Sequence, residues 1–467
     1  VKGNIGGIVA TLGIVFPSIV IISLLAGVIT TFADVAWVKN AFAGIRVCVC
    51  VLIFNAVVKL WKKSVVDKMT LALYIIILAA SLLPEGPVTL LGCPELRDVC
   101  AMTDMLRLLG CECAWQGREL TIHNDRLHHW EMPDALSKRI RSSIFLLGPI
   151  LGRLRRATVA YPGGCEIGLR PLDLHLKGLR ALGVRIGDAD GMLYCDGREM
   201  RPADVYLDYP SVGATENVMM AAALLPGVTT IHNAAREPEI EDLQGFINCM
   251  GGRVQGAGTQ VIEIEGVEKL HGARYAPIPD RIVAGTLLCA AAMTGGEIEL
   301  THVHPGDLIP VHAKLREMGC QIREKGERVH LKAPARLIAF SQLQTQPHPG
   351  FPTDMQAQML AASCLAEGVS VIVENVFESR FAHVADLRRM GADIRVSGRT
   401  AVVQGVESLH GMHVTARDLR GGAALTLAGL AARGETTVEN VELIDRGYAH
   451  LETLLSGLGA KIQRISL

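Results

Sequence analysis

Val384-Ala-Asp-Leu-Arg-Arg-Met390-Gly391-Ala-Asp-Ile394 is the stretch on which the fold turns. Val384, Leu387 and Met390 recur at i, i+3 and i+6, the spacing of one apolar helix face. Gly391 then supplies the left-handed conformation that stops a helix, and a β-branched residue follows to begin a strand. The same text recurs as Leu108-Leu-Gly110-Cys-Glu-Cys113, Ala181-Leu-Gly183-Val-Arg-Ile186, Met250-Gly251-Gly-Arg-Val254, Met318-Gly319-Cys-Gln-Ile322 and Leu458-Gly459-Ala-Lys-Ile462. The six glycines are spaced by 73, 68, 68, 72 and 68 residues. A unit near 70 residues is too long for ankyrin or tetratricopeptide arrays. The spacing predicts six strand–helix–strand repeats, grouped three to a domain.

Outward from the repeats, the chain is uneven. Its 467 residues are 49% hydrophobic, 20% charged and only 4% aromatic, which excludes a disordered chain, a collagen-like repeat and a disulfide miniprotein. Residues 1–83 hold seven Lys/Arg and two acids, a net of +5, so the remainder carries −6 within the total of −1. All 15 His lie in the second part. Neither part is basic enough to point to nucleic acid.

Ile5 to Ala33 contains no charged residue, a run of 29 where about 20 cross a hydrocarbon core. A secretory signal has a shorter apolar region and a small-residue cleavage site, so a spanning helix is expected. Further apolar runs cover Ala41–Val58, interrupted by Arg46, and Met69–Leu83. Lys59, Trp61, Lys62, Lys63 and Lys68 lie between them and favour the cytoplasmic side. A buried helical hairpin is the competing reading of this head. Membrane contact is expected through residues 5–58.

Four stretches of the body carry chemistry. In Ala160-Tyr-Pro-Gly-Gly-Cys165-Glu-Ile-Gly-Leu-Arg170-Pro171-Leu172-Asp173-Leu174-His175, Cys165 sits in a Pro-Gly-Gly turn, and Arg170 just precedes a helix. A loop thiol near guanidinium groups can act as acid or nucleophile; a lone Cys can equally be a small buried hydrophobe. In Pro349-Gly-Phe-Pro-Thr-Asp354, the carboxylate stands at a helix start, where it also suits the helix dipole. Asp418-Leu-Arg420-Gly-Gly and Ile444-Asp-Arg446-Gly-Tyr448 put Arg beside Gly at a helix start, where a small anion meets charge and free N–H groups. Surface ion pairs are the alternative there.

Together on a sixfold repeat, these stretches resemble the UDP-N-acetylglucosamine 1-carboxyvinyltransferase family of enolpyruvyl transferases over residues 78–467. Ser211-Val212-Gly213-Ala-Thr-Glu-Asn217, Ala234-Ala-Arg-Glu-Pro-Glu239, Pro279-Asp-Arg281 and Val376-Phe-Glu-Ser-Arg380 add to the match. The Pro-Gly-Gly-Cys loop separates this family from the sister enzyme of the shikimate pathway. The resemblance implies an α/β fold: a two-domain inside-out α/β barrel at 78–278 and 279–467, preceded by an all-α membrane-like segment at 1–77. It implies transfer of the enolpyruvyl group of phosphoenolpyruvate to the 3-hydroxyl of UDP-N-acetylglucosamine, with no metal or cofactor. Asp354 would be the base near the sugar hydroxyl and Cys165 the loop acid, also the site of fosfomycin alkylation. Arg141, Arg170, Arg420 and Arg446 would hold the phosphate and carboxylate. Arg141, Arg170, Pro171, Leu172, Asp173, Leu174, Ser211, Val212, Gly213, Asp354 and Val376 would line the nucleotide-sugar site. The remaining cysteines form no CxxC pair; Cys48/Cys50 and Cys111/Cys113 read as packing, and a reducing cytosol fits the body.

The front end departs from that pattern. Gly6-Gly-Ile-Val-Ala-Thr-Leu-Gly-Ile-Val-Phe-Pro-Ser18 and Ala41-Phe-Ala-Gly-Ile-Arg46 resemble the chromate transporter family over roughly residues 1–70. Opening on Val1, this head reads as truncated upstream, and no transport is expected of so few spans. Family members carry a Lys-Asn pair at the start of the first helix, and those positions hold Leu71 and Ala72 here. The expectation is an enzyme that has lost about its first 20 residues, with a first strand missing from domain 2 and weakened turnover. The alternative is an inactive, membrane-tethered nucleotide-sugar binder.

Overall fold

The structure, a computed structural model, describes residues 69–132, 141–160 and 172–465, with side chains from residue 74 onward except at 141 and 142. All of these belong to one compact unit, residues 63–467. The apolar runs at 5–33 and 41–58 lie outside the described residues. Among the described residues no helix is long and apolar enough to cross a membrane.

The glycine signal holds at every repeat. Gly110, Gly183, Gly251, Gly319, Gly391 and Gly459 have φ of 105°, 90°, 92°, 89°, 97° and 98°, the left-handed conformation expected of a helix-stopping residue. In the fifth repeat the helix Val384–Arg389 stops there, and the chain turns into the strand Asp393–Ser397.

Six sheets result. The fifth shows the plan, in spatial order Gln342–Gln344, Val369–Val373, Thr400–Gln404, Asp393–Ser397. The first strand is parallel to its neighbour and the rest are antiparallel. The outer strand is lent by the end of another repeat. Asp204–Tyr206, which follows the second repeat, joins the third sheet, and Arg274–Tyr275, which follows the third, returns to the first. That return closes the first half. In the second half, Gln342–Gln344 and His413–Thr415 are lent forward to the fifth and sixth sheets. Among the described residues, Glu297–Thr301 of the fourth sheet has one strand neighbour, and the sixth sheet has two strands.

Two hydrophobic cores fill the halves, one from Ile75 to Leu270 and the other from Ile282 to Leu455. Helices buried over most of their surface lie at the centre of each. Leu147–Leu154 and Val212–Ala222 pack in the first half; Arg281–Met293, Gln356–Ser363 and Leu419–Ala431 pack in the second. Strands that alternate buried and exposed residues, such as Glu297–Thr301, cover them. Helices inside and sheets outside bring the helix N-termini of the second half together, and the candidate site is built there.

Candidate active site

Pro352 ends an extended approach, and the chain enters a short 3₁₀ turn, Thr353–Met355, before the helix Gln356–Ser363. Asp354 is fully buried in that turn. Rather than capping the helix, its carboxylate is gripped by two arginines. Arg380 Nη2 donates to Oδ1 at 2.5 Å, and Arg420 Nη2 donates to Oδ2 at 3.2 Å. Both guanidinium groups are themselves buried. Three charges away from water persist only by mutual pairing, so this cluster has one well-defined arrangement.

The sequence explains the grip locally. Asp418 caps the helix Leu419–Ala431 by accepting from the N–H groups of Arg420 and Gly421 at 3.0 and 2.8 Å, which aims Arg420 off the first turn. Phe377 lies 5.6 Å from the Arg380 guanidinium carbon, on its face. Glu374, fully buried, accepts from Thr345 Oγ1, Thr353 Oγ1 and the backbone N–H groups of Val376 and Phe377 at 2.8–2.9 Å. One carboxylate therefore fixes the turn that holds Asp354 and the loop that holds half-buried Val376.

Arg446 lies in a run of turns before the helix Leu451–Gly457, not at a helix start as its Arg-Gly text implied. Its Nε and Nη2 donate to the two carboxylate oxygens of Asp98 at 3.1 and 2.9 Å. Asp98 belongs to the first half and Arg446 to the second, so this bidentate pair bridges the two. Burial pushes the Asp98 carboxyl up and brings Arg446 down to about 10.

On the first-half side, two expected substrate stretches, Leu172–Leu174 and Ser211–Gly213, meet at His175. Ser211 caps the helix Val212–Ala222, accepting from Ala214 N–H at 3.4 Å. Asn217 of that helix donates to Ile144 O at 3.1 Å, accepts from Gly148 N–H at 2.7 Å and meets His175 Nδ1 at 2.8 Å. A Cβ on Gly213 would stand 2.8 Å from His175 Cε1, so glycine is needed for this approach. Leu172 and Leu174 are half-buried and Asp173 exposed at the start of the helix Asp173–Ala181. Arg141 opens the 3₁₀ turn Arg141–Leu146, and its side chain lies outside the described residues. So do Cys165, Arg170 and Pro171. The structure thus brings together Asp354 and Arg420, and separately Leu172–Leu174 with Ser211–Gly213.

Burial pushes Cys111 and Cys195 up to about 12 and the half-buried Cys113 up to about 11, away from the thiolate form. Arg380 and Asn217 enter the sequence reading only as parts of matching stretches, and Asp98 and Glu374 do not enter it. A signal exists for them: each is a charged or amide residue on an otherwise apolar face or run, as Asp98 is among Val99, Met102 and Met105.

The comparisons with known proteins agree with this fold. The family model described as EPSP synthase (3-phosphoshikimate 1-carboxyvinyltransferase) matches residues 71–455. The UDP-N-acetylglucosamine 1-carboxyvinyltransferase 2 of Caldanaerobacter subterraneus subsp. tengcongensis is 49% identical over 389 residues, 83% of this chain and 93% of that protein. The chain belongs to the enolpyruvyl transferase family. Another family member, UDP-N-acetylglucosamine 1-carboxyvinyltransferase 1 of Symbiobacterium thermophilum, is 52% identical over 83% of this chain and 89% of its own length. Among solved structures, the enolpyruvyl transferase NikO from Streptomyces tendae superposes with a TM-score of 0.76 at 25% identity, covering 84% of this chain and 94% of that one. The EPSP synthase from Acinetobacter baumannii, at 0.63 and 20% identity, shares the fold. A chromate transporter model matches residues 1–94, so the two family matches overlap from residue 71, inside the helix Met69–Ala80.

Proposed function

We propose that this enolpyruvyl transferase joins phosphoenolpyruvate to the 3-hydroxyl of UDP-N-acetylglucosamine and releases phosphate. The observation that carries the reading is the buried Asp354 carboxylate held between Arg380 and Arg420. It is a fixed base beside fixed cations, the pairing that a hydroxyl attack on an anionic enol phosphate requires. The names and identities of the relatives support the substrate pair.

In this reading the sugar 3-hydroxyl gives its proton to Asp354 as its oxygen bonds to the enol carbon. The methylene of phosphoenolpyruvate takes a proton from Cys165 and becomes a methyl. The resulting tetrahedral adduct then returns a methyl proton to the Cys165 thiolate and expels phosphate, which carries away the proton held by Asp354, restoring the double bond. Arg141, Arg170, Arg420 and Arg446 neutralise the phosphate and carboxylate, as forked donors suit both. Arg141, Arg170, Pro171, Leu172, Asp173, Leu174, Ser211, Val212, Gly213 and Val376 line the sugar nucleotide. Arg446 exchanges Asp98 for phosphate as substrate enters.

Two further parts of the proposal concern organisation. The body divides into halves at 78–278 and 279–467, in line with its two cores. Residues 5–58 anchor it at a membrane with the body on the cytoplasmic side, supported by the transporter match. With Leu71 and Ala72 in place of the Lys-Asn pair, turnover is lowered.

The test is inorganic phosphate release by the 467-residue chain supplied with both substrates. Release that requires both, and that Asp354→Asn abolishes, is expected. Release that is indifferent to the sugar nucleotide would refute the reading.

A further inference from the structure

Tyr448 is buried two residues beyond Arg446, with its ring beside the site and its hydroxyl away from solvent. The ring centroid lies 5.3 Å from the Arg420 guanidinium carbon. Arg420 thus has an aromatic face against its plane and the Asp354 carboxylate at its edge. A cation over an aromatic face in a desolvated site is attracted by the ring quadrupole, which sets the rotation of the guanidinium plane.

The hydroxyl is fixed just as tightly. Thr286 Oγ1 lies 2.7 Å from Ile282 O, a carbonyl that can only accept, so the single Thr286 proton is spent there. Thr286 Oγ1 must then accept from Tyr448 at 2.9 Å and from Gln358 Nε2 at 3.0 Å. Gln358 Nε2 also reaches Tyr448 Oη at 3.3 Å. Burial pushes the Tyr448 phenol up, which keeps it a donor at neutral pH. Thr286 belongs to the helix Arg281–Met293 and Gln358 to the helix that starts just after Asp354. The hydroxyl therefore ties the Arg446 turn to the helix Arg281–Met293 and the Asp354 helix, while the ring meets Arg420 of the helix Leu419–Ala431.

We propose that Tyr448 is a positioning residue for the reaction, holding Arg420 by its ring and the Arg446 turn by its hydroxyl so that Asp354 keeps its working orientation. The inference rests on the activity proposed above. A phenylalanine would fill the same volume; the hydroxyl and its hydrogen bonds to Thr286 and Gln358 are surplus to packing and serve alignment. Small misplacements of aligned groups cost catalysis far more than binding.

The test compares Tyr448→Phe and Tyr448→Leu in the full chain, with two readouts. In phosphate release, Tyr448→Leu is expected to lower kcat by about 10- to 100-fold, and Tyr448→Phe by about 3- to 10-fold, with KM for UDP-N-acetylglucosamine within about threefold of wild type. The second readout is independent of turnover: the Nε–H NMR signal of Arg420 in chain labelled at arginine Nε, assigned as the signal lost in Arg420→Lys. It should move in Tyr448→Leu, where the ring current is gone, and stay in Tyr448→Phe. A kcat unchanged in both variants, or an Arg420 signal that ignores loss of the ring, overturns the inference. If wild type releases no phosphate, the proposed activity fails and the NMR comparison alone decides. If Tyr448→Leu does not fold, Tyr448→Phe decides: lowered kcat at an unchanged melting temperature supports positioning, and unchanged kcat refutes it.

Discussion

Arg380→Met removes one of the two cations on Asp354 and leaves a hydrophobic side chain of similar reach in its place. The substitution breaks the 2.5 Å hydrogen bond to Oδ1, between side chains 1% and 0% exposed. Removing one partner of a buried pair costs about 3–5 kcal/mol, because the abandoned charge can neither leave nor be solvated. Here Arg420 still holds Oδ2 at 3.2 Å, so the lower end applies, about 3 kcal/mol. That is a shift of roughly 150-fold in the folded-to-unfolded ratio, at about 1.4 kcal/mol per factor of ten.

The decisive measurement is a double-mutant cycle. In an Asp354→Asn background no carboxylate remains to be abandoned, and the two guanidinium groups of Arg380 and Arg420 face each other without that anion between them. Arg380→Met should then cost less than about 1 kcal/mol, a coupling of about 2 kcal/mol or more. The four Trp residues, at 37, 61, 115 and 130, all lie outside the second half, so urea unfolding is best followed by far-UV circular dichroism. An equal cost of Arg380→Met in both backgrounds would show that the cluster is held by packing and not by charge pairing, and the reasoning fails.

Three other outcomes are expected. Leu71→Lys with Ala72→Asn should raise phosphate release by at least about 30-fold, since a desolvated phosphate cation is worth on the order of 2–5 kcal/mol; no gain would detach those positions from catalysis. Burial pushes Asp242 up to about 6, despite the Tyr275 hydroxyl donating to it at 2.8 Å. The folded state therefore binds the extra proton between the unfolded value near 4 and 6, so stability falls as pH rises through that window, by at most about 3 kcal/mol. Asp242→Asn should flatten the profile measured by thermal melts from pH 4 to 7. Gly391→Ala should cost about 1–2 kcal/mol in urea unfolding, because φ is +97° and the new Cβ would stand 3.2 Å from His410 Cδ2; a neutral result would mean the backbone relaxes there.

The repeat was legible because its punctuation is local. A helix-stopping glycine needs its left-handed backbone whatever surrounds it, so Gly110 through Gly459 could be read without any tertiary knowledge. The Asp354 cluster was legible only in part. Asp354 and Arg420 each stand at a helix start, a local signal, but Arg380 enters from a loop whose position depends on how Glu374 gathers four donors. The Asp98–Arg446 bridge joins residues from different halves, and no local rule pairs them. Where sequence reasoning puts Arg446 at a helix start, a succession of turns intervenes, because Gly447 and Tyr448 both direct their N–H groups to Ile444 O at 3.1 Å. Side-chain partners across the core are set by packing, and periodicity carries no record of them.

The helix Met69–Ala80 shows why fold and chemistry can part at one seam. From Ile75 to Ala80 every side chain is 0% exposed, and the helix is part of the first-half core. What the fold asks of it there is apolar volume, which transporter-like and enolpyruvyl-transferase-like text supply equally well. What the proposed chemistry asks is a cation and an amide at 71 and 72, in the first turn, where the chain has Leu and Ala. Core burial at about 25–30 cal/mol per Å² is indifferent to which apolar residue provides it, whereas a phosphate cation has no apolar substitute. In the proposed reading, folding and family membership therefore survive a change at this helix start that lowers turnover. Restoring Lys and Asn should change catalysis with little change in unfolding midpoint.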